Sequence, residues 1–328
     1  MVFLVTGGTG LVGSHLIELL IDEGYNPGDI KVLVRPHGDT AFLQEKGVVL
    51  CYGDLLDPAS LKTALTDVQM VFHCAAALRE KDQQRIWQVN FHGTENLLEA
   101  ARGVSVDRFI YVSTVGVYGL LEVIPAAEDH PKNPLRPYAC SKLAAENKVW
   151  EYYQKHGLPS VILRPSLIIG ERDRHITKLI INIARRKIVP LVNGGKARIS
   201  FVHARDVARA LFLASLREEA IGHAYNVESF SASLKDIAQF FIKELGAKPR
   251  ILNVPFSLAY ATALGLEGVY VLVKGKRHPA LPKTTVRRFI TDMVFDITKI
   301  KTELGYAPGF TMQEAFLRSL RWQLSNNH

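Results

Sequence analysis

Tyr138 and Lys142 are the two residues whose types and spacing most directly suggest chemistry. They lie four positions apart in the segment Tyr-Ala-Cys-Ser-Lys, and on a helix this spacing places both side chains on one face. A free tyrosine has a pKa of about 10, and a neighbouring ammonium lowers it by favouring the phenolate. Such a tyrosine can take a proton from an alcohol, or give one to a ketone, while hydride moves to or from a nicotinamide. The alternative is a helix on which the two residues have no common role.

A pair of hydroxyls precedes this helix in the chain. Ser113 and Thr114 follow the apolar run 109–112, which has the character of a buried strand. A hydroxyl at the end of such a strand could hydrogen-bond the substrate oxygen and share the negative charge that develops there. The alternative is a Ser or Thr that bonds only to local backbone.

The N-terminal segment has the pattern of a phosphate-binding turn. Residues 6–13 read Thr-Gly-Gly-Thr-Gly-Leu-Val-Gly, after an apolar run and before apolar residues at helical spacing. The first glycine permits a tight turn, the second lets a pyrophosphate approach the backbone, and the third lets the helix pack on the strand. Free N–H groups at the start of the helix would hold the phosphates. The segment predicts a dinucleotide site that includes Gly7, Thr9, Gly10, Leu11, Val12 and Gly13.

The elements that must position these residues alternate along the first half of the chain. Strand-like runs lie at 2–5, 31–34, 48–51, 70–73, 109–112 and 161–163, and helical patterns at 11–23, 58–66, 85–102 and 137–156. This alternation predicts an α/β fold of Rossmann type, a doubly wound parallel sheet that binds ligands at the carboxyl ends of its strands.

The regular alternation of strands and helices ends after this half of the chain. We expect residues 1–166 to form the dinucleotide-binding domain, with returning segments at about 201–227. The range 201–213 predicts a strand followed by a helix, and 224–227 a further strand. Residues 167–200 and 228–328 should form a smaller, mostly helical substrate cap, with the chain helical from about 229.

Together these motifs resemble those of the extended short-chain dehydrogenases/reductases, over essentially the whole chain. The matching segments are T-G-G-T-G-L-V-G at 6–13, G-D-L at 53–55, H-C-A-A-A at 73–77, V-N-F-H-G-T at 89–94, V-S-T-V-G-V-Y-G at 112–119, Y-A-C-S-K at 138–142 and L-R-P-S at 163–166. The resemblance implies an NAD(P)-dependent enzyme that acts on CH–OH groups.

The resemblance also assigns roles to individual residues. It places Thr114 in the position of the catalytic Ser or Thr, with Ser113 as the less favoured neighbour, beside Tyr138 and Lys142. It implies that Lys142 also holds the nicotinamide ribose and that Asn90 supports the catalytic region structurally. The remaining cofactor contacts that it implies are Asp54 and Leu55 at the adenine, Ala75, Ala76 and Ala77 along the cofactor, and Pro165 and Ser166 at the nicotinamide end. In such proteins the helices around 85–102 and 137–156 often pair across a dimer, so we expect a homodimer.

The end of the second strand bears on the choice of cofactor. An acidic residue there binds the free ribose hydroxyl of NAD, whereas an arginine accommodates the 2′-phosphate of NADP. This strand ends in Arg35, followed by Pro36 and His37, and no acid takes that place. A guanidinium suits a phosphate, so NADP(H) is favoured, and NAD(H) remains open because Arg35 could instead stack on adenine.

Two features limit the reaction. Dehydratases with this fold place Asp-Glu after the active-site Thr, but this chain has Val115 and Gly116. A nucleotide-sugar 4-epimerase that keeps NAD bound would need cap arginines for a diphosphate, and Arg172, Arg174, Arg185, Arg186 and Arg198 are candidates unless they are surface charges. A redox sensor without catalysis is the other alternative, although it has no need of Thr114, Tyr138 and Lys142 together.

The C-terminal part favours an apolar substrate. Residues 255–273 carry one charge, Glu267, and basic residues follow as far as 288. This pattern predicts either an apolar lid on the cap or peripheral contact of 255–288 with an anionic membrane surface. The tail at 281–308 resembles the branch with 3β-hydroxysteroid dehydrogenases, sterol-4-carboxylate dehydrogenases, 2-alkyl-3-oxoalkanoate reductases and dihydroflavonol-4-reductase-like proteins. We therefore expect interconversion of a secondary alcohol and a ketone on a sterol-like, 3-oxo lipid or flavonoid-like molecule.

Composition restricts partners and location. The formal net charge is +8, but no nucleic-acid-binding motif accompanies it, so we predict no nucleic-acid partner. Three cysteines without a C-x-x-C pair indicate a reducing compartment, and no metal site is predicted. The nucleotide-binding strand begins at residue 2, so we expect no signal peptide and a cytoplasmic protein, with the membrane contact as the open question.

Overall fold

The computed structural model describes residues 1–78, 83–272, 286–287 and 289–326, with the backbone alone for 266–272. Its largest element is a sheet of seven strands in the order β10-β6-β5-β4-β1-β2-β3. All of its neighbouring strands are parallel. The strands are β1 Phe3–Thr6, β2 Ile30–Val34, β3 Val49–Tyr52, β4 Met70–His73, β5 Arg108–Val112, β6 Ser160–Pro165, β7 Leu167–Ile169, β8 Ile188–Val192, β9 Arg198–His203, β10 Ala224–Val227, β11 Phe230–Ser233 and β12 Arg250–Val254. The predicted α/β Rossmann-type fold is confirmed.

Helices connect these strands and cover both faces of the sheet. They are α1 Leu11–Asp22, α2 Ala41–Glu45, α3 Pro58–Ala64, α4 Gln83–Trp87, α5 Gly93–Val104, α6 Pro137–His156, α7 Ile176–Ala184, α8 Ala204–Leu216, α9 Leu234–Glu244, α10 Phe256–Leu272, α11 Thr298–Leu304 and α12 Met312–Ser325. A π-helical turn, Gln88–His92, joins α4 to α5. The region predicted as one helix at 85–102 is helical throughout, but its middle turn is π-helical and not α-helical. Such wider turns often mark functional sites.

Alternating residues of the strands fill two apolar cores. Phe3 and Val5 of β1 pack with residues of α1 and α8 on one face. Leu4, between them, packs on the other face with residues of α3, α5 and α6. Because both faces are buried, the strands are apolar at nearly every position, as in other covered parallel sheets.

The strand order reverses between β1 and β4. From β1 the chain first builds outwards through β2 and β3, and then returns to build β4, β5 and β6 on the other side. In such sheets the ligand crevice lies outside the carboxyl ends of the strands at this point. Gly7, after β1, and Ala75, after β4, lie on the two sides of it.

A smaller region is built from two further sheets, β11-β9-β7 and the parallel pair β12-β8. The expectation of a helical chain from about 229 is wrong at β11 and β12, which are short strands without a long alternating pattern. Strand β9, at 198–203, pairs in this region, whereas α8 and β10 return to the main sheet; the predicted domain division stays a prediction. No helix among the described residues is long and apolar enough to cross a bilayer.

Candidate active site

The glycine turn after β1 brings two loops into contact at the switch point. Gly7 has a φ of 72°, and a Cβ there would lie 2.7 Å from the Cα of Ala75. A Cβ on Gly13 would lie 2.4 Å from the carbonyl oxygen of Gly7, so α1 can begin at this place only with glycine in its first turn. The positive φ of Gly7 is that of a tight turn, and Gly13 lies where a side chain would meet that turn.

A buried amide ties the loop after β4 to the helix that carries Tyr138. The Asn90 side chain accepts a hydrogen bond from the Ala77 backbone N–H at 2.7 Å and donates to the Ala77 carbonyl at 3.0 Å. The same Asn90 amide lies 3.0 Å from the Ser141 hydroxyl on α6. Asn90, in the π-helical turn, therefore joins the loop after β4 to α6.

Tyr138 and Lys142 lie in the first turns of α6, which begins with Pro137 at its first position. The Lys142 side chain is 1% exposed, and its Nζ lies 4.0 Å from the ring centroid of Tyr111 on β5. The Tyr111 hydroxyl donates to the Lys142 carbonyl at 3.4 Å. Tyr111 thus contacts both the amine and the backbone of Lys142, a contact that the sequence pattern did not indicate.

The two candidate hydroxyls have different partners. The Ser113 hydroxyl is buried and donates to the Glu146 carboxylate at 2.8 Å. Thr114 is half-buried, and its Oγ1 accepts from the Gly116 N–H at 3.1 Å, which starts a 3₁₀ turn. A Cβ built on Gly116 would touch the Ala139 methyl at 3.5 Å, so this turn lies against the first turn of α6. The Thr114 hydroxyl keeps its proton for another acceptor, which favours it over Ser113.

Comparison with known proteins agrees with this geometry. Residues 3–227 match the NAD dependent epimerase/dehydratase family. The chain belongs to this family. The oxidoreductases, epimerases and dehydratases of the family include the extended short-chain dehydrogenases/reductases, so the predicted family and enzyme class are confirmed.

Individual relatives extend over nearly the whole chain. A 4-hydroxy-2-methyl-3-oxo-4-farnesyl-3,4-dihydroquinoline-1-oxide ketoreductase of Stigmatella aurantiaca is 30% identical, over 94% of this chain and 93% of that protein. Sterol demethylase protein B of Methylococcus capsulatus is 28% identical over 98% of each chain. The crystal structure of gox2253 superposes with a TM-score of 0.87 at 30% identity, over 99% of this chain and 98% of that chain.

The crevice has the features that a dinucleotide of this NAD-dependent family requires. Thr9 and Gly10 are exposed, and a Cβ on Gly10 would meet only the Gly7 carbonyl, at 3.1 Å. No side chain among the described residues caps the start of α1, and its first turn holds no acid. Its N–H groups, including those of Leu11 and Val12, are free to bind phosphate. These residues fit the pyrophosphate of the cofactor.

The other predicted cofactor residues lie at the carboxyl ends of four strands. Arg35 follows β2 and is exposed, Asp54 and Leu55 follow β3, and Ala75 to Ala77 follow β4. The Asp54 carboxylate accepts from the Leu56 N–H at 2.9 Å, which shapes its loop. Pro165 ends β6, and the hydroxyl of the next residue, Ser166, is buried without a hydrogen-bond partner among the described residues. A buried hydroxyl without a partner is suited to a ligand amide, as expected at the nicotinamide end.

The pKa values differ from the expectation for Tyr138. Lys142 was expected to lower the pKa of this tyrosine, but burial raises the pKa of Tyr138 to about 12. Burial also lowers the pKa of Lys142 to about 7. Desolvation is the largest cause of both shifts, and it favours the uncharged form of each group. The expected direction for Tyr138 is therefore wrong, and its phenol is protonated at neutral pH.

A buried polar network beneath the site was missed by the sequence analysis. Glu146, four residues after Lys142, is 0% exposed and pairs with Arg164 on β6, whose Nε lies 3.2 Å from the Glu146 Oε2. Arg164 also donates to the Tyr118 hydroxyl at 2.8 Å, which itself donates to Asn226 at 2.7 Å. The spacing of 138, 142 and 146 on one helical face was the available signal. This network fixes Ser113, and with it the start of the Thr114 turn.

Proposed function

We propose that this protein reduces a ketone of a largely apolar substrate with NADP(H), using Tyr138 as the proton donor. The observation that supports the proposal is the packing of the Thr114 turn against the first turn of α6, the helix on which Tyr138 and the buried Lys142 lie four residues apart. The nicotinamide cofactor, when bound, supplies the hydride.

The protonated phenol suits reduction. A ketone that accepts hydride develops negative charge on its oxygen, and Tyr138 can give that oxygen a proton. The Thr114 hydroxyl can donate a second hydrogen bond to the same oxygen and share its charge. Once a phenolate forms on Tyr138, an ammonium on Lys142, four residues along the same helix, would stabilise it. Because Tyr138 starts with its proton, it can act as a donor at once, and this favours a ketone as the starting material.

Several exposed apolar residues are sequence neighbours of the predicted site residues. Leu78 directly follows the cofactor loop, Leu167 directly follows Ser166, and Leu135 precedes α6; they are 50%, 39% and 48% exposed. Val123 and Ile124, after the Thr114 turn, are 67% and 42% exposed. Exposed apolar side chains adjacent in sequence to the predicted site residues support a substrate with substantial apolar surface. The name of the Stigmatella relative, a ketoreductase acting on a farnesylated quinoline, agrees with this substrate class.

The arginines required by the epimerase alternative are partly engaged elsewhere. Arg172 pairs with Glu18, with its Nη2 at 2.5 Å and its Nη1 at 3.3 Å. Arg198 donates to the Ser231 hydroxyl at 2.8 Å. A diphosphate would have to break these pairs or use other residues, so the epimerase is the weaker candidate.

Arg35 supports NADP(H) as the preferred cofactor. Arg35 is exposed directly after β2, and Asp54 follows the neighbouring strand β3. Strand β2 contains no acidic residue. Among the described residues nothing pairs with its guanidinium, which can therefore meet a 2′-phosphate. The homodimer and the cytoplasmic location expected from the sequence stay predictions.

The test is turnover of an NADPH-dependent reduction by Tyr138→Phe. Substrates to assay are 3-oxo lipids, 3-ketosteroids, flavonoid ketones and UDP-sugars. Tyr138→Phe should bind NADPH as wild type does and lose about 10²–10⁴-fold in kcat, the contribution of a positioned proton donor. Tyr152→Phe, on the same helix but bonded to the exposed Glu99, is the matched control and should keep wild-type turnover. Wild-type rates in Tyr138→Phe, or turnover of UDP-sugars alone, would refute the proposal.

A further inference from the structure

The outer face of the β8-β12 pair is exposed although most of its side chains are apolar. In the parallel register Ile188 lies beside Arg250, and Pro190 beside Leu252. All four are exposed, with Ile188 at 51% and Leu252 at 44%. The alternate residues of β8, including Val189, are buried. The strand pair therefore exposes apolar side chains on this face near its start, whereas Val192 and Val254, further along the same face, pack against α10.

Cations collect at the end where both strands begin. The Arg250 N–H donates to the Lys187 carbonyl at 2.9 Å, which brings the two strand starts together. Arg185, Arg186, Lys187, Lys248 and Arg250 are all exposed there. The segments 185–192 and 244–254 contain one acid, Glu244. The end of the strand pair thus carries an excess of positive charge directly beside the exposed Ile188.

Helix α10 continues this character. It follows β12 after one residue and packs through Ala259 and Ala263 against Val192 and Val254. Its Leu258 is 60% exposed and its Leu264 45%. A helix that is apolar on its exposed side as well as its packed side is unusual on a surface that faces only water.

We propose that the outer face of β8-β12, with the basic cluster of Arg185, Arg186, Lys187, Lys248 and Arg250, docks on the surface of an anionic lipid bilayer. Exposed aliphatic side chains beside Lys and Arg match the two layers of a bilayer surface, the acyl boundary and the anionic headgroups. A symmetric dimer through the same face would bury two copies of the cationic cluster against each other, which like charges oppose. The proposal does not depend on the proposed reaction.

Vesicle flotation with the full-length protein tests it. We expect binding to vesicles of phosphatidylcholine with 30% phosphatidylglycerol, and much weaker binding to phosphatidylcholine alone or at high salt. The triple variant Arg185→Ser, Arg186→Ser, Lys187→Ser should lose on the order of a hundredfold in partitioning. A triple variant with the same change in net charge, Lys62→Ser, Arg102→Ser, Lys155→Ser, uses exposed cations elsewhere and should bind as wild type does.

A second pair of variants tests the apolar part. Leu252→Glu should reduce binding to anionic vesicles, whereas Leu216→Glu, at a similarly exposed leucine of α8, should not. Circular dichroism and NADPH binding show whether each variant is folded. Absence of binding to anionic vesicles, or equal loss in the two triple variants, overturns the proposal. So does a dimer in sedimentation that Leu252→Glu dissociates, because a second copy would then occupy the face.

Discussion

Replacing Glu146 by Gln is expected to destabilise the protein strongly, because it leaves a buried guanidinium without its counter-charge. Arg164 is 2% exposed and Glu146 0%. The carboxylate accepts from the Arg164 Nη2 at 2.5 Å, from its Nε at 3.2 Å and from the Ser113 hydroxyl at 2.8 Å. Lys132, at 3.8 Å, is the one further cation within ion-pairing distance of Glu146 among the described residues. A Gln side chain keeps one acceptor but turns an NH₂ group towards groups that are themselves donors.

The magnitude follows from the burial of the pair. Removing one partner of a buried ion pair costs about 3–5 kcal/mol. For 328 residues the unfolding entropy is about 0.7 kcal/mol per kelvin, so the melting temperature should fall by about 4–7 °C. Arg164→Met should cost a comparable amount. The double variant should lose less than the sum, because neither charge is then left alone.

Thermal unfolding of the cofactor-free protein, followed by calorimetry, measures these changes. The matched control is Glu151→Gln on the same helix, whose carboxylate pairs with Lys148 and Lys155 near the surface; screened surface pairs contribute little, so its melting temperature should stay close to wild type. Equal melting temperatures of Glu146→Gln and Glu151→Gln would refute the expectation. So would a double variant whose loss of stability equals the sum of the losses in Glu146→Gln and Arg164→Met.

Three further outcomes are expected. Burial lowers the pKa of Lys142 to about 7, so between about pH 7 and 10.5 the unfolded chain binds more protons than the folded one. The stability of wild type relative to Lys142→Met should therefore rise with pH across that window. A difference in melting temperature that stays flat from pH 6 to 10 contradicts this. Arg35→Asp should lower the kcat/KM for NADPH relative to that for NADH by about 10–100-fold, and an unchanged ratio in steady-state kinetics would remove Arg35 from the 2′-phosphate site. Gly13→Ala places a methyl 2.4 Å from the Gly7 carbonyl and should weaken NADPH binding by at least about tenfold. The control is Gly103→Ala, where a Cβ meets nothing within 4 Å; it should bind NADPH normally and gain slightly in helix stability. Calorimetric titration compares the two variants, and equal affinities would contradict the crowding at Gly13.

Local pattern was sufficient where one element makes its own signal. Strand β4, strand β10 and helix α6 have the bounds predicted from the sequence, because apolar runs between turns and helical periodicity depend on neighbours along the chain. The glycine turn could be predicted for the same reason, since the positive φ of Gly7 and the closeness of Gly13 to the Gly7 carbonyl are local features of the motif. Strands β11 and β12 could not, because their sequences, F-S-A-S and R-I-L-N-V, form no continuous apolar run, and such strands depend on the partners with which they pair.

The chain by itself therefore determined the main sheet and its switch point, and Thr114, Tyr138 and Lys142 stay its predicted catalytic group. The tertiary structure decided the electrostatics and the supports of that group. The Glu146–Arg164 pair joins a helix and a strand residue that are 18 positions apart, and the direction in which the pKa of Tyr138 shifts depends on how far other elements exclude water from it. Spacing on a helix shows which side chains are neighbours, but desolvation depends on everything packed around them, and it decides which of them carries a charge.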